Sequence, residues 1–278
     1  MLTGSQQFEL MRGVTQSLAG RTVVLCLLPF TAAEVVQLSP AARQQSLPQW
    51  LCTGFFPAFM TGSLTHRRRW RLILRPMWSV ICGSWRLCAG RVGQLLNLTS
   101  LGNDAGVSQS TAQAWLDLLQ TSCIVYLLPP WFTNSSKRLI KSPKLHFYDV
   151  GLASWLLGLR SPEQVARDPL WGSLFVNFVV MEALKDKANQ GDSTPLYFYR
   201  DATGNEVDLL VPTGSQYRAI EIKAGSTVNP DYFRGLRQFA NAHGLHLEGG
   251  GVLYGGSHNQ SRSDWPVWSW RTLLERPV

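Results

Sequence analysis

Two stretches of alternating side chains, joined by a turn, constrain this chain most. The first is Asn205-Glu206-Val207-Asp208-Leu209-Leu210-Val211, and the second is Tyr217-Arg218-Ala219-Ile220-Glu221-Ile222-Lys223. Successive side chains on a strand point to opposite faces. Glu221 and Lys223 therefore share one face, and Ile220 and Ile222 the other. Glu206 and Asp208 are expected on a face opposite Val207 and Leu209. Between the strands, Pro212-Thr213-Gly214-Ser215 is a run of turn residues. Such a hairpin can gather an Asp, a Glu and a Lys on one polar patch over an apolar floor. Metal-assisted phosphodiester cleavage asks for that set. Asp208 and Glu221 would be ligands to Mg²⁺, while Lys223 would orient or activate the water and steady developing charge. A plainer reading stays open: an exposed hairpin edge with a solvated ion pair.

Composition bounds the setting. The chain has 278 residues, 45% of them hydrophobic, enough for one large or two small domains. The five cysteines (Cys26, Cys52, Cys82, Cys88, Cys123) form no CxxC pair and no even framework. That fits a reducing compartment without a zinc site or a disulfide scaffold. Glu9 and Arg12 interrupt the first turns, so no signal peptide is expected. The longest apolar run, Val23 to Leu28, falls far short of the roughly 20 residues of a spanning helix. A cytoplasmic protein with no membrane partner is the expectation.

The net charge of +8 comes from one place. Residues 35–103 contain no Asp or Glu but hold Arg43, Arg67, Arg68, Arg69, Arg71, Arg75, Arg86 and Arg91. With Trp70, Trp78 and Trp85 interleaved, this could be an arm for phosphate contact and base stacking. Arg- and Trp-rich text without acids is also what GC-rich coding sequence yields out of frame, and that reading is favoured for residues 61–86.

Along the chain, residues 1–34 suggest a helix through Phe8, Leu10, Met11, Val14 and Leu18, then a short apolar strand from Thr22 to Leu28. Residues 87–160 read as helix, helix, turn, helix and two short strands, a winged-helix order, followed by a connecting helix from Asp149 to Arg160. Ser100 and Ser108 are the expected caps. The recognition-helix face would show Gln109, Ser110, Gln113 and Asp117, and the wing would add Lys137, Arg138, Lys141 and Lys144. DNA binding is one role for this unit. Packing or protein contact is the other, favoured because the helix carries no basic residue. Residues 161–278 give a helix over Leu174–Lys187, a strand at 196–200, the hairpin, a helix over 232–242 and a strand at 251–254. Trp265, Trp268 and Trp270 suggest a last strand or a packing apron. The fold class is α/β in the α+β sense, with a mixed sheet.

The Asp208, Glu221 and Lys223 pattern resembles the D-x(n)-E-x-K signature of restriction-endonuclease-like nucleases. That fold carries an acidic residue on the helix before its core hairpin, and the resemblance implies that role for Glu182. Glu182 also fits a solvated helix-face carboxylate near Lys185 or Asp186. Longer stretches widen the resemblance: Leu2-Thr3-Gly4-Ser5-Gln6, Leu18-Ala19-Gly20-Arg21, Leu27-Leu28-Pro29-Phe30, Lys141 through Leu152, Gly204-Asn205-Glu206-Val207-Asp208 and Ile220-Glu221-Ile222-Lys223. Together they are similar to prokaryotic AAA-type ATPases whose C-terminal domain of unknown function, of the DUF4143 type, joins a winged helix to a restriction-endonuclease-like domain. The resemblance implies that residues 1–60 are a remnant of the ATPase domain, in which Thr3, Ser5 and Arg21 are nucleotide-sensing relics. It also implies a winged helix over 87–160 and a nuclease-like domain over 161–278. The chain departs from that family in two ways. It has no G-x-x-x-x-G-K-[ST] loop, so no ATP site is expected, and residues 61–86 lack the family's acidic run. The implied cofactor is Mg²⁺. The implied partners are DNA, a protein partner or a second copy of the chain. A retained non-catalytic binding module is the alternative to an enzyme.

Overall fold

The first helix among the described residues is reciprocally capped. Thr31 Oγ1 accepts from the Glu34 amide at 3.2 Å, and the Glu34 carboxylate accepts from the Thr31 amide at 2.7 Å. This box starts α1 (Ala32–Leu38), followed by a 3₁₀ turn over Pro40–Gln44 and by α2 (Leu47–Thr53). The computed structural model describes residues 28–55, 82–132, 141–214, 216–243, 249–262 and 265–275. The helix and strand expected before residue 28, and most of the 61–86 segment, lie outside the described residues.

The next elements are α3 (Cys82–Ala89), α4 (Leu98–Ala105), α5 (Gln109–Thr121), β1 (Val125–Leu128) and β2 (Lys144–Phe147). The last two pair antiparallel. This is the expected order of helices and hairpin, with corrections. Asn97, not Ser100, caps α4: its Oδ1 accepts from the Ser100 amide at 3.0 Å, and Ser100 lies inside the helix. Ser108 does cap α5, accepting from the Thr111 amide at 3.1 Å. Trp85 is buried in the core, so it is not a free stacking platform. Arg86 donates to the Leu156 carbonyl and Arg91 pairs with Asp104, which ties both arginines into the fold.

The helix expected to run to Arg160 is shorter. It is α6 (Val150–Leu156), and the chain turns at Gly158 with φ +89° before α7 (Pro162–Arg167) and α8 (Trp171–Asn189). Then come β3 (Tyr197–Arg200), β4 (Glu206–Thr213), β5 (Gln216–Lys223), α9 (Arg234–His243), β6 (Gly251–Tyr254), β7 (Gln260–Arg262) and β8 (Trp265–Ser269). They form a mixed, open six-stranded sheet in the order β3-β4-β5-β6-β8-β7. β3, β4 and β5 run antiparallel, whereas β5-β6 and β6-β8 are parallel. The tail tryptophans Trp265 and Trp268 lie in β8 as expected. The hairpin turn is tighter than the sequence suggests: Pro212 and Thr213 stay in the ladder, and Gly214 at φ +61° makes the turn.

Both faces of the sheet are covered. Leu209, Val211, Ile220 and Ile222 share a core with Leu174, Phe178 and Met181 of α8. Val207, Leu210 and Ala219 share another with Leu236 and Phe239 of α9. Val207 and Leu209 therefore face opposite ways, contrary to simple alternation. The cause is a bulge: Tyr197 pairs with Leu210 while Tyr199 pairs with Val207, so β4 carries an extra residue there.

The segment from α1 to Phe55 packs into the α8 core through a glycine seam. Asp149 Oδ2 accepts from the Phe55 amide at 2.5 Å while Oδ1 caps α6 at the Leu152 amide. A Cβ on Gly151 would sit 2.4 Å from the Gly54 nitrogen, a backbone atom that cannot step aside. Gly151→Ala is expected to cost about 1–3 kcal/mol through overpacking, read as a lower urea midpoint at unchanged slope. An unchanged midpoint would show the seam to be slack.

Candidate functional site

The bulge sets the site. Ladder pairing between β4 and β5 runs as far as Leu209 with Ile220, and beyond that point the strands part. Asp208 fills the gap: its Oδ2 accepts from the Ile222 amide at 2.9 Å. Glu221 lies on the α9 side of the sheet, opposite Ile220 and Ile222. A Cβ on Gly235 in α9 would fall 3.3 Å from Glu221 Oε2 and 2.1 Å from the Glu206 carbonyl, so only glycine lets the helix lie this close.

Lys223 joins the two carboxylates. Its Nζ is 2.5 Å from Glu221 Oε1 and 3.6 Å from Asp208 Oδ2. Its side chain is 35% exposed, against 9% for Glu221 and 12% for Asp208, so Lys223 is the residue of the three that solvent reaches most. Burial alone would lower its pKa, but Asp208 and Glu221 more than offset that and hold it above the usual 10.5. Lys223 is therefore a fixed cation, able to orient a water or steady an anion but not to take a proton. Burial, and then the charge of Asp208, push the Glu221 carboxyl up to about 8. Glu221 Oε2 is buried and has no hydrogen-bond partner among the described residues. An orphaned carboxylate oxygen beside a second carboxylate is unfavourable unless a proton or a cation sits there. Asp208 and Glu221 thus fit a divalent ion as two oxygen ligands. Among the described residues no group of three or more His, Cys, Asp or Glu side chains could hold a metal by itself.

Glu182 is not brought to this cluster. α8 covers the opposite face of the sheet, and the Glu182 carboxylate accepts from the Ala32 amide at 2.6 Å and pairs with Lys185 at 2.5 Å. Lys185 in turn donates to the Phe30 carbonyl and lies over the Phe55 ring. Burial pushes Glu182 above its ordinary pKa while Lys185 draws it back. Its position in sequence placed Glu182 on the helix before the hairpin, but packing chose which side of the helix meets the sheet. The pair anchors the α1 segment instead.

Three further groups complete the charge cluster. Arg200 Nη1 is 3.2 Å from Glu206 Oε2. Lys144 from β2 pairs with Glu206 Oε1 and stands 3.8 Å from Asp208 Oδ1. Lys144, expected among the basic residues of the loop, is instead buried: only 4% of it is exposed, and its ammonium lies over the Phe198 ring. The available signal was its place in Lys144-Leu145-His146-Phe147, a strand whose four residues are all buried. Lys137 and Arg138 lie outside the described residues. Of the helix face, Gln113 bonds Asp117.

Comparison with known proteins follows the same two units. Residues 83–163 match a family described as Domain of unknown function (DUF8612), and residues 171–273 match Domain of unknown function (DUF4143). The DUF4143 resemblance is thereby supported. Relatives include the uncharacterized protein Rv2008c of Mycobacterium tuberculosis and the uncharacterized protein Mb2031c of Mycobacterium bovis. Each is 30% identical over 278 residues, an alignment covering 95% of this chain and 60% of the relative. The chain thus spans about 60% of the length of these curated relatives. No solved structure matches. No helix among the described residues is long and apolar enough to cross a membrane.

Two outcomes test this geometry. A carboxyl whose folded pKa lies above its unfolded one binds more protons when folded, so its stabilising effect is lost as pH rises. Between about 4.5 and about 8, wild type should lose stability relative to Glu221→Gln, measured by urea unfolding across that window. Parallel pH profiles would contradict the buried, raised carboxyl. Glu182→Ala strands the buried Lys185 and should cost about 3–5 kcal/mol, with any divalent-ion response of the folded variant intact. Loss of that response would return Glu182 to the site.

Proposed function

We propose that residues 171–273 form a restriction-endonuclease-like domain that hydrolyses DNA phosphodiesters with Mg²⁺, and that residues 83–163 form a winged helix docked against it. The orphaned, buried Glu221 Oε2 beside Asp208, beneath a permanently charged Lys223, carries this reading. Asp208 and Glu221 would hold the ion. When bound, Mg²⁺ supplies Lewis-acid polarisation of the phosphoryl group. Lys223 orients the attacking water and offsets charge developing on the non-bridging oxygens. Asp208, fixed by the Ile222 amide, keeps its second oxygen directed at the cluster. Water attacks phosphorus and gives up a proton to solvent, the P–O bond to the leaving sugar oxygen breaks, and that oxygen takes up a proton from solvent. The similarity to AAA-type ATPases that carry this C-terminal arrangement belongs to the same proposal, with DNA or a protein as partner and a cytoplasmic setting.

One observation favours a second reading, a non-catalytic binding module. Lys144, Arg200 and Lys223 already balance Glu206, Asp208 and Glu221. Such closure resembles a polar lock that has no need of a metal.

The readings separate in one experiment. The purified chain is expected to nick plasmid DNA with Mg²⁺ or Mn²⁺, and either ion should raise its melting temperature by mass action. Asp208→Asn should abolish the thermal gain, and Lys223→Met should slow cleavage about 10²-fold or more. If neither ion shifts the melting temperature and no DNA is cut, the binding-module reading wins.

A further inference from the structure

The hairpin does not own all the charges of its site. Lys144 belongs to β2, in the unit matched at 83–163, whereas its partners Glu206 and Asp208 belong to β4, in the unit matched at 171–273. The backbone fixes this lysine firmly. β2 pairs with β1 on one side, and Leu95 bridges to Lys144 on the other. The neighbouring Leu145 takes bonds from both Gly93 and Gln94, donating to the Gln94 carbonyl and accepting from the Gly93 amide. The Lys144 ammonium lies over the Phe198 ring of β3, 5.1 Å from the centroid. The two units also share an edge: the Phe198 amide donates to the Pro129 carbonyl at 3.1 Å, and the Trp131 amide donates to the Phe198 carbonyl at 2.7 Å. The ammonium cannot swing to solvent without pulling its strand out of place.

Asp208 is thus claimed at both oxygens. Oδ2 takes the Ile222 amide and faces Lys223, while Oδ1 faces Lys144. A divalent ion entering between Asp208 and Glu221 meets a fixed positive charge only one carboxylate away. At low effective dielectric, unlike and like charges at such separations change ion affinity by orders of magnitude.

We infer that Lys144 is a resident counter-ion, supplied by the 83–163 unit, that competes with a divalent cation for Asp208 and so sets how tightly the hairpin site binds metal. This deepens the proposed function and rests on its reading of Asp208 and Glu221 as a cation site. Lys144 is a positioning residue in this scheme, since it acts through Asp208 and Glu206.

The test measures Mn²⁺ binding to the full chain by electron paramagnetic resonance at fixed neutral pH and low salt. Lys144→Met keeps a long unbranched side chain beside Phe198 and removes the charge. It is expected to bind Mn²⁺ about tenfold tighter or more, while Lys144→Arg stays close to wild type. A merely structural lysine would do the reverse, because a loosened site binds more weakly. Glu206→Gln leaves Lys144 with Asp208 alone, and should weaken binding in a fold that keeps its lysine. This second variant decides the matter if Lys144→Met does not fold. Equal or weaker binding by folded Lys144→Met, with wild type binding normally, overturns the role of Lys144 and leaves the cation site standing. Equal or tighter binding by Glu206→Gln overturns the role in the same way. No binding by wild type and clear binding by Lys144→Met is the strongest support. No binding by any variant overturns both the inference and the cation-site reading beneath it.

Discussion

Where the β4–β5 ladder opens, three carboxylates and three cations gather, and Lys144, Asp208 and Glu221 among them are buried. Burying a lone carboxylate costs several kcal/mol even after relaxation, so each charge is tolerable only because the others are there. Glu206 takes Arg200 and Lys144, Asp208 takes the Ile222 amide with Lys144 and Lys223 nearby, and Glu221 takes Lys223. The bulge in β4 creates the opening, and Gly235 allows α9 to roof it. One oxygen, Glu221 Oε2, is left over from this mutual satisfaction. That residue of unmet need distinguishes the cluster from an ordinary buried salt-bridge network, in which every lone pair would have been provided for.

The same logic operates on the α8 side of the sheet with a different result. Glu182, Lys185, Asp149 and the Ala32 and Phe55 amides form a buried polar seam between the α1–α2 segment and the body. There the charges close on backbone donors. Burial pushes Asp149 above its usual range, and the Phe55 and Leu152 amides restrain it. Gly54 and Gly151 let two backbones touch at this point. The seam orders the N-terminal segment against α6 and α8, and its polar groups have structural partners rather than an opening to solvent.

How much of this was legible follows from what periodicity encodes. A period of two placed Glu221 and Lys223 together, because β5 is regular from Gln216 to Lys223. The same rule failed four residues into β4, because a bulge adds a residue that no composition marks, and Val207 parted company with Leu209. Asp208 still arrived at the patch, through its hydrogen bond to Ile222 rather than through alternation. Glu182 was read from its place before the hairpin. α8 is apolar almost all round, so its sequence holds no stripe to say which side meets the sheet. Lys144 was read as a wing cation because a lysine beside Ser142-Pro143 looks like loop. Only tertiary pairing with Glu206, 62 residues away, gives it a reason to be buried.

That last residue bears on what the junction between the two units is for. An apolar side chain of similar volume on Phe198 would join β2 to β3 at least as well, since buried ion pairs are often no more stabilising than the hydrophobic residues that could replace them. Replacement would require Glu206 to rely on Arg200, which is accessible and already positioned. Stability therefore does not demand a lysine at this place. What the lysine adds is charge, and Glu206 and Asp208 are the two acids to which it is paired. A charge paired to Glu206 and to Asp208, one of the two carboxylates of the candidate cation site, makes the state of that site depend on where β2 stands. In this fold β2 is thus part of the electrostatics of the hairpin as well as part of its packing.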